Sequence, residues 1–539
     1  MRPDALREAL FKRALAEIPK LLTLLDRTSV SPTYGCFDRS YWHYRITDFP
    51  CGMSQEFVLP LALAWSIDRP DNPYFRSPTV RSWVEAGIRY AARSSHADGS
   101  CDDYYPFERA TGAAAFSLYA FLEAMIIVGL EADAEIDHFL VRRGLWLGRH
   151  RERGELSNHE ALIVASLDRL GERYGRNRFE GLMRQRLDRL LSWQSGEGWF
   201  SEYGGADLGY LSLTIGLLAD LDQRRPDLKL REPLAAAIRF FALFVHPDGT
   251  VGGEYSSRAT LNFFPHGFEI AGAWMPEALA VNDQALVPLA QDRMPCYSDD
   301  RIVGHHLWSW LLAYRAFRSE RPAHQVPAEG RQWFPEAQLV IDRREGVVFI
   351  AALGRGGVFK LFRDDALLVS DTGPTLQVGD KGRVAVTHLE GRAMTRFEGD
   401  EIIVDGRFAW AKTARLTPVK NVALRLLMLS FGRFSPNLVR GLLQRILVTG
   451  RTEAPFRYRR VFRPIEGGWS VSDEIMADHG WSKVRSAGIG GFQSSTATVM
   501  ARVFRLEQLQ PPLDLGNRLA GLDAKEPLTV KRKFGAGCC

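Results

Sequence analysis

Three turns of one pattern recur early in the chain, and they constrain its fold more than any other feature. HADGSCDDYYPFERATGAAAFSL begins at His96, GEGWFSEYGGADLGYLSL at Gly196 and HPDGTVGGEYSSRATLNFFPHGF at His246. In each, a glycine (Gly99, Gly198 or Gly249) is followed by an acidic residue and a tyrosine: Asp103-Tyr104, Glu202-Tyr203 and Glu254-Tyr255. An apolar, helix-competent run comes next. The glycines stand 99 and 51 residues apart, so the unit is about fifty residues with one member between the first two. Gly154, in RHRERGELSNHEALIVASL, occupies that intermediate place, and DFPCGMSQEFVLPLALAW repeats the loop-then-helix order earlier. About fifty residues hold two helices and two connections at ~1.5 Å rise per residue. The expected fold is multidomain α + β, and residues 1–330 read as an α/α toroid, an incomplete barrel of five or six helical hairpins.

Past residue 330 the pattern changes to short β-rich runs separated by Gly and Asp. GVVFIAALG, GVFKLF, ALLVSDTG, RVAVTHL, EIIVDG, RYRRVF and TATVMARVF supply candidate strands for an antiparallel β-sandwich over 331–525, with RSERPAHQVPAEGRQWFPEAQ as the linker and 526–539 as a tail. One segment breaks the sheet pattern. From 406 to 452 there is no acidic residue, yet nine Lys or Arg accompany VALRLLMLSF and LVRGLLQRILV. It reads either as a helical insertion packed on the sandwich or as an amphipathic patch for an anionic membrane surface or another polyanion.

Composition narrows the function classes. A net charge of +5 over 539 residues gives no global case for nucleic-acid binding. Six cysteines without paired CxxC spacing exclude a disulfide framework and a structural zinc site, and Cys538-Cys539 lacks the spacing of a prenylation tail. The N-terminal MRPDALREALFKRALAEIPKLLTLL mixes charges into a helical period, and no run reaches the ~18 uncharged apolar residues of a membrane span, so a cytoplasmic protein is expected.

A ring of hairpins brings the loops before its inner helices to one mouth, where distant polar residues meet. Tyr41, Trp42, Tyr44, Tyr104, Tyr105, Trp199, Tyr203, Tyr210, Tyr255 and Phe263 lie in or near these loops, as a platform for sugar rings or as packing between hairpins.

The toroid-then-sandwich order, with Asn158 and His159 in SNHEALIVASL and Tyr210 in EYGGADLGYLSL, resembles the heparinase II/III-like polysaccharide lyases over nearly the whole chain. The loop YSSRATLNFFPHGFE, with Arg258, Asn262 and His266, also looks like that family's toroid. The resemblance implies β-elimination on an acidic, uronate-containing polysaccharide or oligosaccharide. That chemistry needs donors on the uronate carboxylate, a base for the adjacent proton and an acid for the leaving oxygen. Asn158 is the expected clamp, Tyr210 the acid–base residue and His159 its helper; Arg258, His266, Tyr255, Tyr203, Tyr104, Tyr105, Trp199 and Asn262 are expected to bind substrate. The alternatives are an N-cap for Asn158 and a core position for Tyr210.

The chain departs from the family where active members carry a histidine-rich loop early in the sandwich. VFKLFRDDALLVSDTGPTLQVGDKGRVAVTHLEG holds His388 alone, in a strand-like setting that points to a structural place. A non-catalytic glycan-binding or exopolysaccharide-assembly protein is therefore the second reading. A glycoside hydrolase using Asp102, Asp103, Glu202 or Glu254 is the third. No cofactor is expected. The cluster of Asp299, Asp300, His305 and His306 is not a metal site on this reading, because adjacent helical histidines diverge by about 100°.

Overall fold

The computed structural model describes residues 2–535 apart from 132, 153, 295, 298–300, 302, 324–326, 390–392, 412–416, 445–451, 491–502, 505–508 and 510. Helices α1 (Pro3–Leu24), α2 (Arg39–Trp42), α3 (Val58–Ser66), α4 (Pro78–Ser94), α5 (Thr111–Val128), α6 (Ala134–Arg149), α7 (Ser157–Tyr174), α8 (Arg176–Leu191), α9 (Leu208–Arg224), α10 (Arg231–Leu243), α11 (His266–Ala271), α12 (Glu277–Ala290) and α13 (Val303–Ala316) build the N-terminal part. Of these, α3, α5, α7, α9, α11 and α13 pack side by side in that order, and α13 also touches α3, which joins the inner ring. Inner helices α3 and α5 are apolar nearly all round because both faces are covered. Helix α5 is long and apolar enough to cross a membrane, but 83% of it is buried inside the ring, the place of a core helix.

The repeated turns share one geometry. His96 N–H donates to Ser100 O, Ser195 N–H to Trp199 O and His246 N–H to Thr250 O at 2.8–2.9 Å. Each turn glycine has a left-handed φ and presses on the outer helix of the next hairpin: a Cβ on Gly99, Gly198 or Gly249 would lie 2.5 Å from backbone atoms of Arg143, Ala236 or Gln284. The sequence period is thus a packing period. Gly249→Ala combines a strained φ with a backbone clash, and we expect it to lower stability by about 2 kcal/mol or more, read by urea denaturation.

The second part holds two antiparallel sheets. Strands β2 (Gly330–Phe334), β3 (Leu339–Arg344), β4 (Val347–Ala352), β5 (Val358–Arg363) and β6 (Ala366–Asp371) form the first in sequential order; β1 (Cys296–Tyr297) stands apart from it. The second contains β7 (Pro374–Val378), β8 (Arg383–Val386), β9 (Met394–Glu398), β10 (Glu401–Trp410), β11 (Glu453–Ile465), β12 (Gly468–Ala477), β13 (Val484–Ile489), β15 (Leu513–Asp514) and β16 (Leu528–Gly535), while β14 (Val503–Phe504) pairs with β1. The five-stranded sheet is covered on both faces. Leu339, Ile341, Ile350 and Phe362 join the toroid core, and Val340, Phe349, Phe359 and Leu361 join the core between the sheets. This explains why β4 reads as a continuous apolar run, and β5 as one broken only by Lys360, rather than as clean alternation.

Several boundaries differ from the sequence expectation. Strand β2 lies within the expected linker, and β16 lies in the expected tail; in LTVKRKFG buried Leu528 and Val530 alternate with residues whose charge hides the strand. Strand β10 runs to Trp410, so the insertion starts after it rather than at 406. Of TATVMARVF, residues 496–502 lie outside the described residues, and Val503–Phe504 pairs with β1 rather than with either sandwich sheet.

Toroid and sandwich meet through buried polar contacts as well as the shared core. Arg355 Nη1 donates to Ser256 O and Ser257 O at 2.8 and 2.7 Å. Lys360 Nζ, on β5, lies 2.8 Å from Glu254 Oε2, which also accepts from Ser370 Oγ. Burial alone would raise the Glu254 pKa, but the Lys360 ammonium outweighs it and holds the carboxyl at about 2, below its ordinary 4.5. A depressed folded pKa means that this stabilisation is complete above about pH 4.5 and is lost as pH falls toward 2. We expect wild-type stability to drop across that window, and Glu254→Gln to flatten that part of a stability–pH profile measured by urea denaturation.

Candidate functional site

The loops before successive inner helices are stitched together along one rim. Gly52 N–H donates to Asp102 O, Tyr203 N–H to Glu155 O and Ser257 N–H to Ala206 O, at 2.7–2.9 Å. Asp207 then fixes two parts of the site together. Its carboxylate caps α9 by accepting from Tyr210 N–H at 3.1 Å, and it also accepts from the Arg258 and Thr260 amides and the Thr260 hydroxyl. The helix start bearing Tyr210 and the loop bearing Arg258 are thereby held side by side.

Glu202 is the centre of the resulting cluster. It accepts from Asn158 Nδ2 at 2.9 Å, Ser157 Oγ at 3.2 Å and Arg258 Nη1 at 2.7 Å. The Arg258 guanidinium carbon lies 4.4 Å from the Tyr210 ring centroid and 4.9 Å from that of Tyr203, within cation–π range. Burial raises the Glu202 pKa, opposed by Arg258 and His159. Burial likewise pushes the Tyr210 phenol up to about 12 despite Arg258, so it carries its proton at neutral pH.

Asn158 does not cap its helix. It is the second residue of α7, and its side chain reaches across to Glu202; it is fully buried, and its Oδ1 has no hydrogen-bond partner. His159, next along the helix, is partly exposed. Its Nδ1 lies 2.8 Å from Glu152 Oε2, the relation of an imidazole to a carboxylate that orients it. The ring rests on α5 at a glycine: a Cβ on Gly112 would lie 2.6 Å from His159 Cε1 and 2.7 Å from Nε2. Gly112→Ala therefore has to displace the imidazole. We expect it to lower any turnover that uses His159 by about 10-fold or more while leaving thermal stability nearly unchanged, read from kcat and a melting curve.

The other expected ligands are distributed differently. Asn262 packs against Gly209 near the cluster and is buried, with Oδ1 lacking a hydrogen-bond partner. His266 sits in the barrel core, its Nδ1 2.7 Å from Ser309 Oγ and its ring against Trp308 and Gly216; burial lowers its pKa to about 4. Tyr255 is also a core residue, its hydroxyl 2.9 Å from His246 Nε2, and Phe263 stacks between hairpins on Phe241. Trp199 Nε1 donates to Glu197, whose carboxylate accepts the Glu336 and Ala337 amides, so it belongs to the junction with the sandwich. Tyr104 is exposed beside Arg301, with Tyr105 half-buried next to it.

The carboxylates considered for hydrolysis are engaged too. Asp102 accepts from the Phe107 and Arg109 amides and contacts His96 at 2.8 Å, Asp103 accepts from Cys51 Sγ, and Glu254 pairs with Lys360. His305 faces Glu56 and Phe116, whereas His306 stacks on Phe264, so the two diverge. Asp299 and Asp300 lie outside the described residues, among which no cluster of three His, Cys, Asp or Glu forms a metal site.

Sequence reasoning passed over Glu152 and Ser157, and it read Glu202 as a hydrolytic carboxylate rather than as the acceptor for Asn158 and Arg258. The signal for Glu202 was the repeated acidic–Tyr pair. His388 is another difference. It lies past the end of β8 rather than within it, and burial, then the nearby Arg355, lowers its pKa to about 3, with Glu254 acting in the opposite direction. It is thus a buried neutral imidazole at the toroid–sandwich junction. A cavity of about 650 Å³ opens farther round the mouth, lined by Arg45, Phe49, His96, Phe107, Arg425 and Leu429 among others; Asn158, Tyr210 and Arg258 do not line it.

No family profile matches the chain, and no curated protein sequence matches it. Solved structures do. The Streptomyces coelicolor A3 chondroitin AC lyase, solved in complex with chondroitin sulphate, is 11% identical over all of this chain and 80% of its own, with a TM-score of 0.51. A Paenibacillus xanthan lyase is 9% identical over 90% of this chain, with a TM-score of 0.47, and the chain spans only 46% of that enzyme's length. Heparan sulfate lyase HepC from Pedobacter heparinus is 10% identical, covering 88% of this chain and 70% of its own, with a TM-score of 0.41. The chain shares the fold of that chondroitin AC lyase, an α/α toroid followed by an antiparallel β-sandwich.

Proposed function

We propose that this chain cleaves a uronate-containing polysaccharide or oligosaccharide by β-elimination at the rim around Tyr210. The observation that carries the reading is the Arg258 guanidinium 4.4 Å from the ring of Tyr210, a phenol that burial keeps protonated. A protonated phenol beside a fixed cation is an acid whose conjugate base is stabilised as it forms. In the proposed reaction His159 takes the proton beside the uronate carboxylate. The carbon–oxygen bond to the leaving sugar breaks as a carbon–carbon double bond forms, and Tyr210 returns a proton to the departing oxygen. Glu152 orients the imidazole, and Arg258 offsets charge on the phenolate until solvent restores its proton. Asn158, Ser157 and Arg258 form a donor set suited to a carboxylate.

The test is incubation with a panel of uronate polymers. Rising ultraviolet absorbance from the new double bond is the expected result, whereas new reducing ends without absorbance would mean hydrolysis.

A second reading, glycan binding without cleavage, is favoured by one observation: Glu202 already occupies donors from Asn158, Ser157 and Arg258. On the lyase reading the substrate carboxylate has to displace Glu202 from these donors, because Asn158 is fully buried and Arg258 Nε is buried as well. Saturable glycan binding with neither absorbance nor new reducing ends would select the binding protein.

A further inference from the structure

Between β10 and β11 the chain leaves the sheet, and its described part there is a helical hairpin. Helix α14 (Pro418–Leu427) runs through a wider turn at Met428–Gly432, followed by α15 (Pro436–Gln444). Its apolar side chains face outward. Val419 and Phe434 are each 78% exposed, Leu426 63%, Val422 58% and Leu438 56%, and Leu429, Phe431 and Leu442 are exposed as well. Val419, Val422 and Leu426 follow one face of α14, and Leu438 and Leu442 one face of α15, the spacing that an amphipathic helix ordinarily turns toward a core. Met428 and Val439 are the buried apolar side chains of this segment among the described residues. A row of this kind left in water marks an interaction surface.

Charge selects the occupant. After β10 the chain from 411 to 452 carries eight Lys or Arg and no acidic residue, and Lys420, Arg425, Arg433 and Arg440 lie in the described part. A second copy docking by the same face would set like charges against each other. A soluble polyanion would satisfy the cations and leave the phenylalanines and leucines in water. An anionic bilayer satisfies both, with apolar side chains in the acyl boundary and cations at the phosphates. The hairpin is also tied to the toroid mouth: Arg425 pairs with Asp48 and lies over Phe49, Arg433 lies over Phe107, and Leu429 lines the cavity there.

We propose that this hairpin docks the protein on an anionic phospholipid membrane and holds the toroid mouth at the bilayer surface. The proposal does not depend on the cleavage chemistry. Its test is co-sedimentation of the full chain with vesicles of phosphatidylcholine alone or of an equimolar mixture with phosphatidylglycerol. At least about tenfold stronger partitioning onto the anionic vesicles is expected, weakening as salt screens the charges. Phe431→Ser, Phe434→Ser and Leu438→Ser combined should reduce it about tenfold with an unchanged melting curve, since all three side chains are exposed. Equal or negligible recovery on the two vesicle types, or full binding by the triple variant, would overturn the proposal. So would vesicle-free self-association that the same variant abolishes, which would assign the surface to a second copy.

Discussion

Tyr210→Phe is expected to lower kcat on a uronate polymer by about 10²- to 10⁴-fold, the usual range for losing a positioned proton donor, while substrate affinity changes little. The ring that packs against Arg258 is retained and only the hydroxyl goes, so the fold and the cation–π contact persist. Because burial holds the phenol pKa near 12, its protonation should not limit activity below about pH 10. A parallel fall in affinity and turnover would place Tyr210 in binding, and unchanged turnover would remove it from the reaction.

Arg460→Met is expected to cost about 3–5 kcal/mol of stability, measured by urea denaturation near neutral pH. Arg460 is wholly buried in the sandwich, with Nε donating to Asp473 at 2.6 Å, Nη2 to Asp371 at 3.0 Å and Nη1 to Gly357 O at 2.9 Å. Arg532 bonds both aspartates from the rim at 2.6 and 2.7 Å and would be their remaining cation. Arg460→Lys should rescue little, since one ammonium cannot reach three acceptors spread around a planar guanidinium. Burial opposes ionisation of Asp371, yet Arg460 and Arg532 hold its pKa at about 2, below the ordinary 3.8. The network therefore stabilises fully above about pH 3.8 and loses that contribution as pH falls toward 2, so the gap between wild type and variant should narrow on acidification. Asp371 ends β6 one residue after Ser370, which bonds Glu254, so this loss is expected to loosen the toroid contact as well.

The repeated turns show how much of the architecture was legible in the sequence. Each is a local device: a glycine with left-handed φ, a short hydrogen-bonded loop and an apolar helix after it, all within about twenty residues. A ring of hairpins follows from such units because each can bury its apolar face only against its neighbours. The sandwich was legible where strands are apolar, as in β4 and β5. It was missed in β2 and β16, where Trp333 and Phe334 sit in a polar stretch and lysines and arginines alternate with Leu528 and Val530.

The candidate site was legible as residue types and not as partnerships. Asn158 and Tyr210 stand out in sequence as polar or aromatic residues at helix starts and Arg258 as a cation in the loop before one, and His266 looks much the same. The structure brings the first three into one buried cluster around Glu202, with Tyr210 joined to the toroid core as well, and puts His266 elsewhere in that core against Ser309 and Trp308. Nothing local distinguishes these outcomes, because a histidine opening an inner helix can face the rim or the axis according to how the ring turns.

By itself, the sequence determined the hairpin period, the change from helix to sheet and the acid-free basic segment, all of which depend on spacing along the chain. Only the tertiary structure decided that Glu202 would take hydrogen bonds from Asn158, 44 residues before it, and from Arg258, 56 residues after it. Those separations are about one repeat each, so neighbouring hairpins bring these atoms within bonding distance only when they pack side by side.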